Sequence, residues 1–262
     1  MIYSSGLDLI MGTGHPLYDD DGLLRSVPNY LYVGSSEVWS ELNLGTAGND
    51  SNGDGVFDSW RIVVSKEDFL SLSEGKISGR IFAIASVFKT LQEKRSGAVN
   101  DSVPSLRVMA SGTLRLFVEG GDDFFLVIEG GAIDFAGHDN NLPRMIEELS
   151  DFNDAVAAVV DYLGSTVGWE GSLVLVTADH ETGYLMSPNS GPPDSFSSVV
   201  NNGEGVVPFA NWYSASHTKL LVPLYAKGLA SGVLDEFIVG KDQNYGIYVD
   251  NTAIYDLVTG MY

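Results

Sequence analysis

Three short stretches of this 262-residue chain hold side chains that could bind metal ions. Phe124 to His138 reads Phe-Phe-Leu-Val-Ile-Glu-Gly-Gly-Ala-Ile-Asp-Phe-Ala-Gly-His, an apolar run that delivers Glu129, Asp134 and His138. Leu173 to Gly183 repeats the arrangement, with Asp179 and His180 following Leu-Val-Leu-Val. His217 stands immediately before a third apolar run. Taken singly these signals are weak: Asp134 and His138, four apart, are alone best read as a surface pair on one helical turn. Neighbours such as Asp179 and His180 point apart in a strand, but in a loop they can share one ion or reach two. Glu129, an acid at the end of an apolar strand, is costly to bury without a cation. The chain has only four histidines, and three of them lie beside strand ends in the company of carboxylates. Three imidazoles and three carboxylates suit two zinc ions and one harder, oxygen-seeking ion such as magnesium. Two metals about 3.5–4 Å apart stabilise the attacking and leaving oxygens of an in-line phosphoryl transfer.

The element expected to position these residues is a strand-helix-strand unit. Residues 124 to 129 and 172 to 177 are nearly all apolar, the pattern of parallel strands covered on both faces. Between them Leu142, Met145, Ile146, Leu149, Phe152, Val156, Val159, Val160 and Leu163 recur at intervals of three and four, which predicts a helix. Asn141 is its candidate N-cap and Gly164 stands past its end. A right-handed crossover would bring the C-terminal ends of both strands to one sheet edge, where open α/β sheets bind ligands.

Elsewhere, Leu7 to Met11, Ile62 to Ser65 and Arg80 to Ser86 read as strands, and Lys66 to Leu72 as helical. A strand and a short helix are expected from Ile247 to Leu257. Residues 43 to 58 and 187 to 214 form surface-loop excursions rich in turn residues. The first contains Asp50-Ser-Asn-Gly-Asp-Gly-Val-Phe-Asp58, a partial calcium-loop pattern. Its twelfth position is Arg61 rather than the bidentate Glu, so a plain Asx-rich turn is favoured.

With 14 basic against 35 acidic residues the formal charge is −21, which repels nucleic acid and anionic membrane surfaces. An anionic substrate would therefore draw its positive charge from bound cations. Cysteine is absent, removing disulfides and thiolate chemistry. No apolar run reaches the ~18 residues of a membrane span, and no signal-peptide pattern opens the chain.

Glu-Gly-Gly-Ala-Ile-Asp-Phe-Ala-Gly-His at 129 to 138, Thr-Ala-Asp-His-Glu-Thr-Gly at 177 to 183, and His217-Thr ahead of Val-Pro-Leu-Tyr-Ala resemble, in order and spacing, the C-terminal half of the alkaline phosphatases. The resemblance implies a three-layer α/β/α fold with a mostly parallel central sheet, incomplete at its N-terminal side. On that reading residues 1–262 form the C-terminal part of a single domain, and some sheet edges stay unpaired. It implies that Asp134, His138 and His217 hold one zinc, Asp179 and His180 the second, and that Glu129 belongs to a magnesium site. Phe135 replaces the Trp, His or Lys often found beside the Asp ligand, suggesting an apolar contact in the phosphate pocket. His15 lies in a segment resembling the family's Gly-rich turn, where a structural role is favoured.

The family's nucleophilic serine, in an Asp-Ser-Ala-type string, has no counterpart in this chain. Asp101-Ser102 is followed by Val-Pro and reads as a loop dipeptide. The expectation is therefore a phosphate monoester hydrolase working through a phosphoserine whose serine lies outside these residues, with this fragment inactive by itself. Homodimerisation and export to the periplasm or medium are implied likewise. The rival readings are a related metal-dependent sulfatase, phosphodiesterase or phosphomutase, and a non-catalytic metal-binding remnant.

Overall fold

Residues Ile81 to Ile84 alternate their side chains between two apolar faces, and that alternation organises the first part of the molecule. The computed structural model describes residues 1–191, 196–229 and 231–260. Two compact units are found in it, one of Met1–Ala132 with Glu147–Val159, the other of Ile133–Ile146 with the chain from Val160 onward.

In the first unit the strand Ile81–Ile84 lies between Leu9–Gly12 and Arg61–Val63, parallel to both. Its four residues are buried. Ile81 and Ala83 face a core completed by Val63, Phe69, Leu72 and Met109, while Phe82 and Ile84 face another with Leu42, Ala47 and Trp60. Helices supply Leu42, Phe69, Leu72 and Met109: α1 (Ser36–Leu44) to one face, α2 (Lys66–Ser73) and α3 (Leu106–Gly120) to the other. Each begins at a serine whose hydroxyl accepts an orphan backbone N–H: Ser35 from Val38, Ser65 from Asp68 and Ser105 from Val108. Ser65 and Asp68 complete a reciprocal capping box. This is an α/β/α layering, as the family resemblance implies.

Trp60 and Arg80 tie the N-terminal segment to this sheet. The buried Trp60 indole donates to the Ile2 carbonyl at 2.8 Å, and the Arg80 guanidinium lies 3.9 Å over its ring. Arg80 donates to the carbonyls of Leu7 and Ser5 and to the Asn49 amide oxygen. In the adjacent Asx-rich loop both Asp50 carboxylate oxygens are turned inward onto the backbone N–H groups of Gly53, Asp54 and Gly55. His15 is buried between the Tyr18 and Trp39 rings, and burial pushes its imidazole down to about 4, which agrees with a structural role.

The long helix α5 (Leu142–Thr166) follows the shorter α4 (Ala132–His138). Asn141 caps α5 as expected, its side chain accepting from Arg144 N–H, with Pro143 in the first turn. The helix does not stop at Gly164. It runs on to Thr166 and is closed by Gly168, whose left-handed backbone (φ 87°) lets its N–H return to the Leu163 carbonyl. Gly164 instead makes room for Trp169, whose indole nitrogen lies 3.3 Å from where a Cβ would stand.

Within the first unit α5 carries the buried Glu148, pushed up from an ordinary 4.5 to about 7 by burial, then by Asp151, Glu147 and Glu93, against an opposing pull from Arg95. Because the folded value is raised, its stabilising contribution is fully present below about pH 4.5 and is lost as pH rises through about 7. A Glu148→Gln variant should therefore melt higher than the parent at pH 8, with the difference shrinking towards pH 4.5, as read by circular dichroism. An equal difference at both pH values would show that ionisation of Glu148 is not involved.

Two expected strands are corrected. Residues 124–129 make no ladder among the described residues, and Phe125 and Val127 stand 67% and 74% exposed. A strand exists only through a partner's hydrogen bonds, and apolar composition does not supply one. Leu173–Val176 is a strand, but its partner is Tyr225–Gly228, antiparallel to it, rather than the predicted parallel neighbour. The apolar run after His217 is interrupted by Pro223, which has no N–H for a ladder, so the strand begins only at Tyr225.

Among its described residues the second unit otherwise holds short antiparallel pairs, a 3-10 helix (Ser231–Phe237) and the C-terminal helix α6 (Ala253–Thr259). Glu181–Thr182 pairs with His217–Thr218, and Leu185–Met186 with Asn211–Trp212. The excursion 187–214 is closed at its base by that second pair and carries a further antiparallel bridge between Val200 and Phe209; its residues 192–195 lie outside the described set. No helix of the described residues is long and apolar enough to cross a membrane.

Candidate metal centre

Asp134 and His138 occupy one face of α4, four residues apart, so a single helical turn presents both towards the same point. The Glu181–Thr182 and His217–Thr218 pair brings two more histidines to it. His217 lies opposite Thr182 in the register, while His180 immediately precedes the paired segment. All of these residues belong to the second unit.

Their donor atoms converge. His138 Nε2 lies 3.0 Å from His217 Nε2, 3.5 Å from Asp134 Oδ2, and His217 Nε2 lies 3.4 Å from Asp134 Oδ1. The His180 and His217 rings stack with centroids 3.5 Å apart. Asp134, His180 and His217 each offer an atom within 4.8 Å of the others. His180 Nε2 is also 3.2 Å from Asp179 Oδ2, and the Asp179 side chain is 85% exposed.

Backbone groups aim these side chains. His138 Nδ1 lies 2.8 Å from the Ala215 carbonyl, to which it can only donate, leaving the Nε2 lone pair directed at the cluster. Asn140, in left-handed backbone at φ 52°, turns its amide nitrogen to the carbonyls of Gly137 (3.0 Å) and Ser214 (2.8 Å), fastening the end of α4 to the 214–217 segment. Glu181 holds the strand pair, accepting from the Thr218 hydroxyl and, at 2.6 Å, from Tyr184 N–H. Gly183 (φ 90°) closes the turn, its carbonyl accepting from Tyr213 and Ser214 N–H; a Cβ there would stand 2.4 Å from the Trp212 ring.

This donor set suits a cation of the zinc type. Tetrahedral zinc with bonds of about 2.0–2.1 Å places its ligand atoms about 3.3 Å from one another. The contacts among Asp134, His138 and His217 span 3.0–3.5 Å. Two imidazole nitrogens so close need a proton or a cation between them.

The remaining predicted site residues lie as follows. Glu129 belongs to the first unit and is exposed, its Oε1 folded back to 3.1 Å from where a Cβ on Gly131 would be. Phe135, on α4 beside Asp134, is 39% exposed. Ser102, in the first unit, spends its hydroxyl on Asn100 Oδ1 at 2.5 Å, as a loop residue would. Asn140 and the Ala215 carbonyl lie outside the predicted site, and Glu181 and Thr182 enter the sequence reading only as part of the Thr-Ala-Asp-His-Glu-Thr-Gly string, with no role of their own.

A family model described as alkaline phosphatase matches residues 58–241. Alkaline phosphatase 3 of Bacillus subtilis (strain 168) is 31% identical over 121 residues, covering 46% of this chain and 24% of its own. Alkaline phosphatase of Escherichia coli (strain K12) is 33% identical over 110 residues, 41% of this chain and 22% of its own. Streptomycin-6-phosphate phosphatase of Streptomyces griseus is 30% identical over 145 residues, 53% and 29%. The matches thus take in less than a third of these relatives. The solved structure of a cold-active alkaline phosphatase from a psychrophilic Shewanella sp. shares the fold, with a TM-score of 0.62 at 17% identity over 98% of this chain and 65% of that one. The alkaline phosphatase of the Antarctic bacterium TAB5 gives a TM-score of 0.53 at 24% identity over 76% of this chain and 51% of that one.

Proposed function

The chain belongs to the alkaline phosphatase family, and we propose that it is the part of a phosphate monoester hydrolase that carries most of the metal ligands. The observation that carries this reading is the crowding of donor atoms around Asp134 and His217, with His138 within 3.0–3.5 Å of both and His180 offering an atom within 4.8 Å of both. In this reading Asp134, His138 and His217 hold one zinc, Asp179 and His180 the second, and Glu129 belongs to a magnesium site. When bound, the zinc pair supplies electrostatic stabilisation of the attacking and leaving oxygens of phosphoryl transfer.

The chain's own residues bind, orient and screen. His138 and its Ala215 carbonyl fix one imidazole's direction, Glu181 and Thr218 hold the strand pair rigid, and Phe135 offers an apolar surface beside Asp134. A phosphate dianion approaching a molecule of charge −21 needs the cations to overcome repulsion. The phosphoserine of the reaction forms on a serine outside this chain, and the full-length protein is a homodimer exported to the periplasm or medium.

The purified chain should bind two zinc ions and one magnesium ion, yet hydrolyse a chromogenic phosphomonoester no faster than a zinc-salt control. Chelator-sensitive turnover at a rate of order 1 s⁻¹ or more, within the ordinary enzyme range, would sink the assignment of the nucleophile to another segment. Zinc stoichiometry below one would sink the site itself.

A further inference from the structure

Thr182 lies at the middle of the cluster without being a candidate ligand. Its Oγ1 is 2.5 Å from Asp134 Oδ1 and 3.2 Å from His180 Nδ1. A hydroxyl has one proton to give and lone pairs to receive. The carboxylate oxygen can only accept, so the proton goes to Asp134, and the other contact must then be His180 Nδ1–H donating to Thr182. His180 is thereby held as the Nδ1–H tautomer, with the Nε2 lone pair free. That lone pair faces the Asp179 carboxylate at 3.2 Å, two acceptors that a cation between them would satisfy.

The side chain has little freedom to do otherwise. Thr182 is β-branched, and its methyl and Cβ press into the gap left by Gly137 on α4, where a Cβ would come within 3.0 and 3.1 Å of them. With the methyl seated there and the backbone paired to His217, the hydroxyl is turned to Asp134.

We infer that Thr182 is a positioning residue coupling the ligands of the two proposed zinc ions, its single hydroxyl setting the aim of Asp134 and the tautomer of His180. The inference rests on the zinc reading above. Outer-sphere partners of this kind are worth roughly 10–100-fold in metal affinity. Because the hydroxyl touches a ligand from each proposed ion, its loss should weaken both.

The test titrates zinc alone against a chromogenic chelator, using the purified chain and its Thr182→Val, Thr182→Ser and His217→Ala variants. Thr182→Val keeps the branched shape and should bind both zinc ions about 10–100-fold more weakly. Thr182→Ser restores the hydroxyl and should return to within about threefold of the parent. Parent-like affinity in Thr182→Val, or equal weakening in Thr182→Ser, overturns the inference while leaving the zinc reading intact. If His217→Ala also binds zinc like the parent, the zinc reading itself falls. Should Thr182→Val not fold, the ¹⁵N shifts of His180 in the zinc-free parent decide: protonated Nδ1 is expected, and protonated Nε2 overturns the proposal.

Discussion

His217→Ala should lower the zinc affinity of this chain by about two to three orders of magnitude. Structural zinc sites are worth about 10–16 kcal/mol through four ligands, so one ligand carries about 2.5–4 kcal/mol. His217 is the histidine whose loss should be felt most. Its Nε2 stands 3.0 Å from that of His138 and 3.4 Å from Asp134, and its ring stacks on His180. The side chain is also 47% exposed, so truncation should cost the fold little, and the strand pair keeps its hydrogen bonds through the backbone. Competition with a chelator of known affinity measures the change. An affinity within threefold of the parent would mean that the convergence of nitrogens is a surface arrangement and not a metal centre.

The second large effect is on stability. Trp60→Ala should destabilise the first unit by about 3–5 kcal/mol, a large share of the roughly 5–15 kcal/mol typical of a whole domain. Three losses coincide. The indole leaves a cavity against Phe82 and Leu42, its N–H no longer holds the Ile2 carbonyl, and the Arg80 guanidinium loses the ring 3.9 Å beneath it. Arg80 then faces solvent on one side while still gripping Leu7 and Ser5. Urea denaturation followed by circular dichroism measures the difference, and a loss below 1 kcal/mol would show that the N-terminal segment does not depend on this stack.

Legibility in the sequence followed the physics of each feature. The ligand stretches stand out because histidine is scarce and three of the four lie beside predicted strand ends in the company of carboxylates. The first-unit strands were readable because Ile81 to Ile84 is apolar on both faces, as a central parallel strand must be. Residues 124–129 carry the same composition and form no ladder among the described residues, since pairing is a property of two segments and composition reports on one. For the same reason the antiparallel partner of Leu173–Val176, fifty residues away, was not visible. The end of α5 was misplaced because a glycine that admits the Trp169 ring looks in sequence like a glycine that ends a helix. Much of the centre's support is backbone, above all the Ala215 carbonyl behind His138, which no residue type announces.

The near-contact between Gly137 and Thr182 also bears on how this site could drift through neutral change. A methyl added at position 137 would press on the threonine, and with it shift the hydroxyl, by a few tenths of an ångström, so that step is disfavoured while Thr182 stands. If Thr182 first became serine, the 3.0 Å methyl contact would be gone, and an alanine at position 137 would have only the serine Cβ at 3.1 Å and the flexible Met145 Cε at 3.2 Å to displace slightly. The two positions therefore form an epistatic pair with a preferred order of substitution, threonine to serine before glycine to alanine, and couplings between touching residues of this kind are commonly about 0.5–3 kcal/mol.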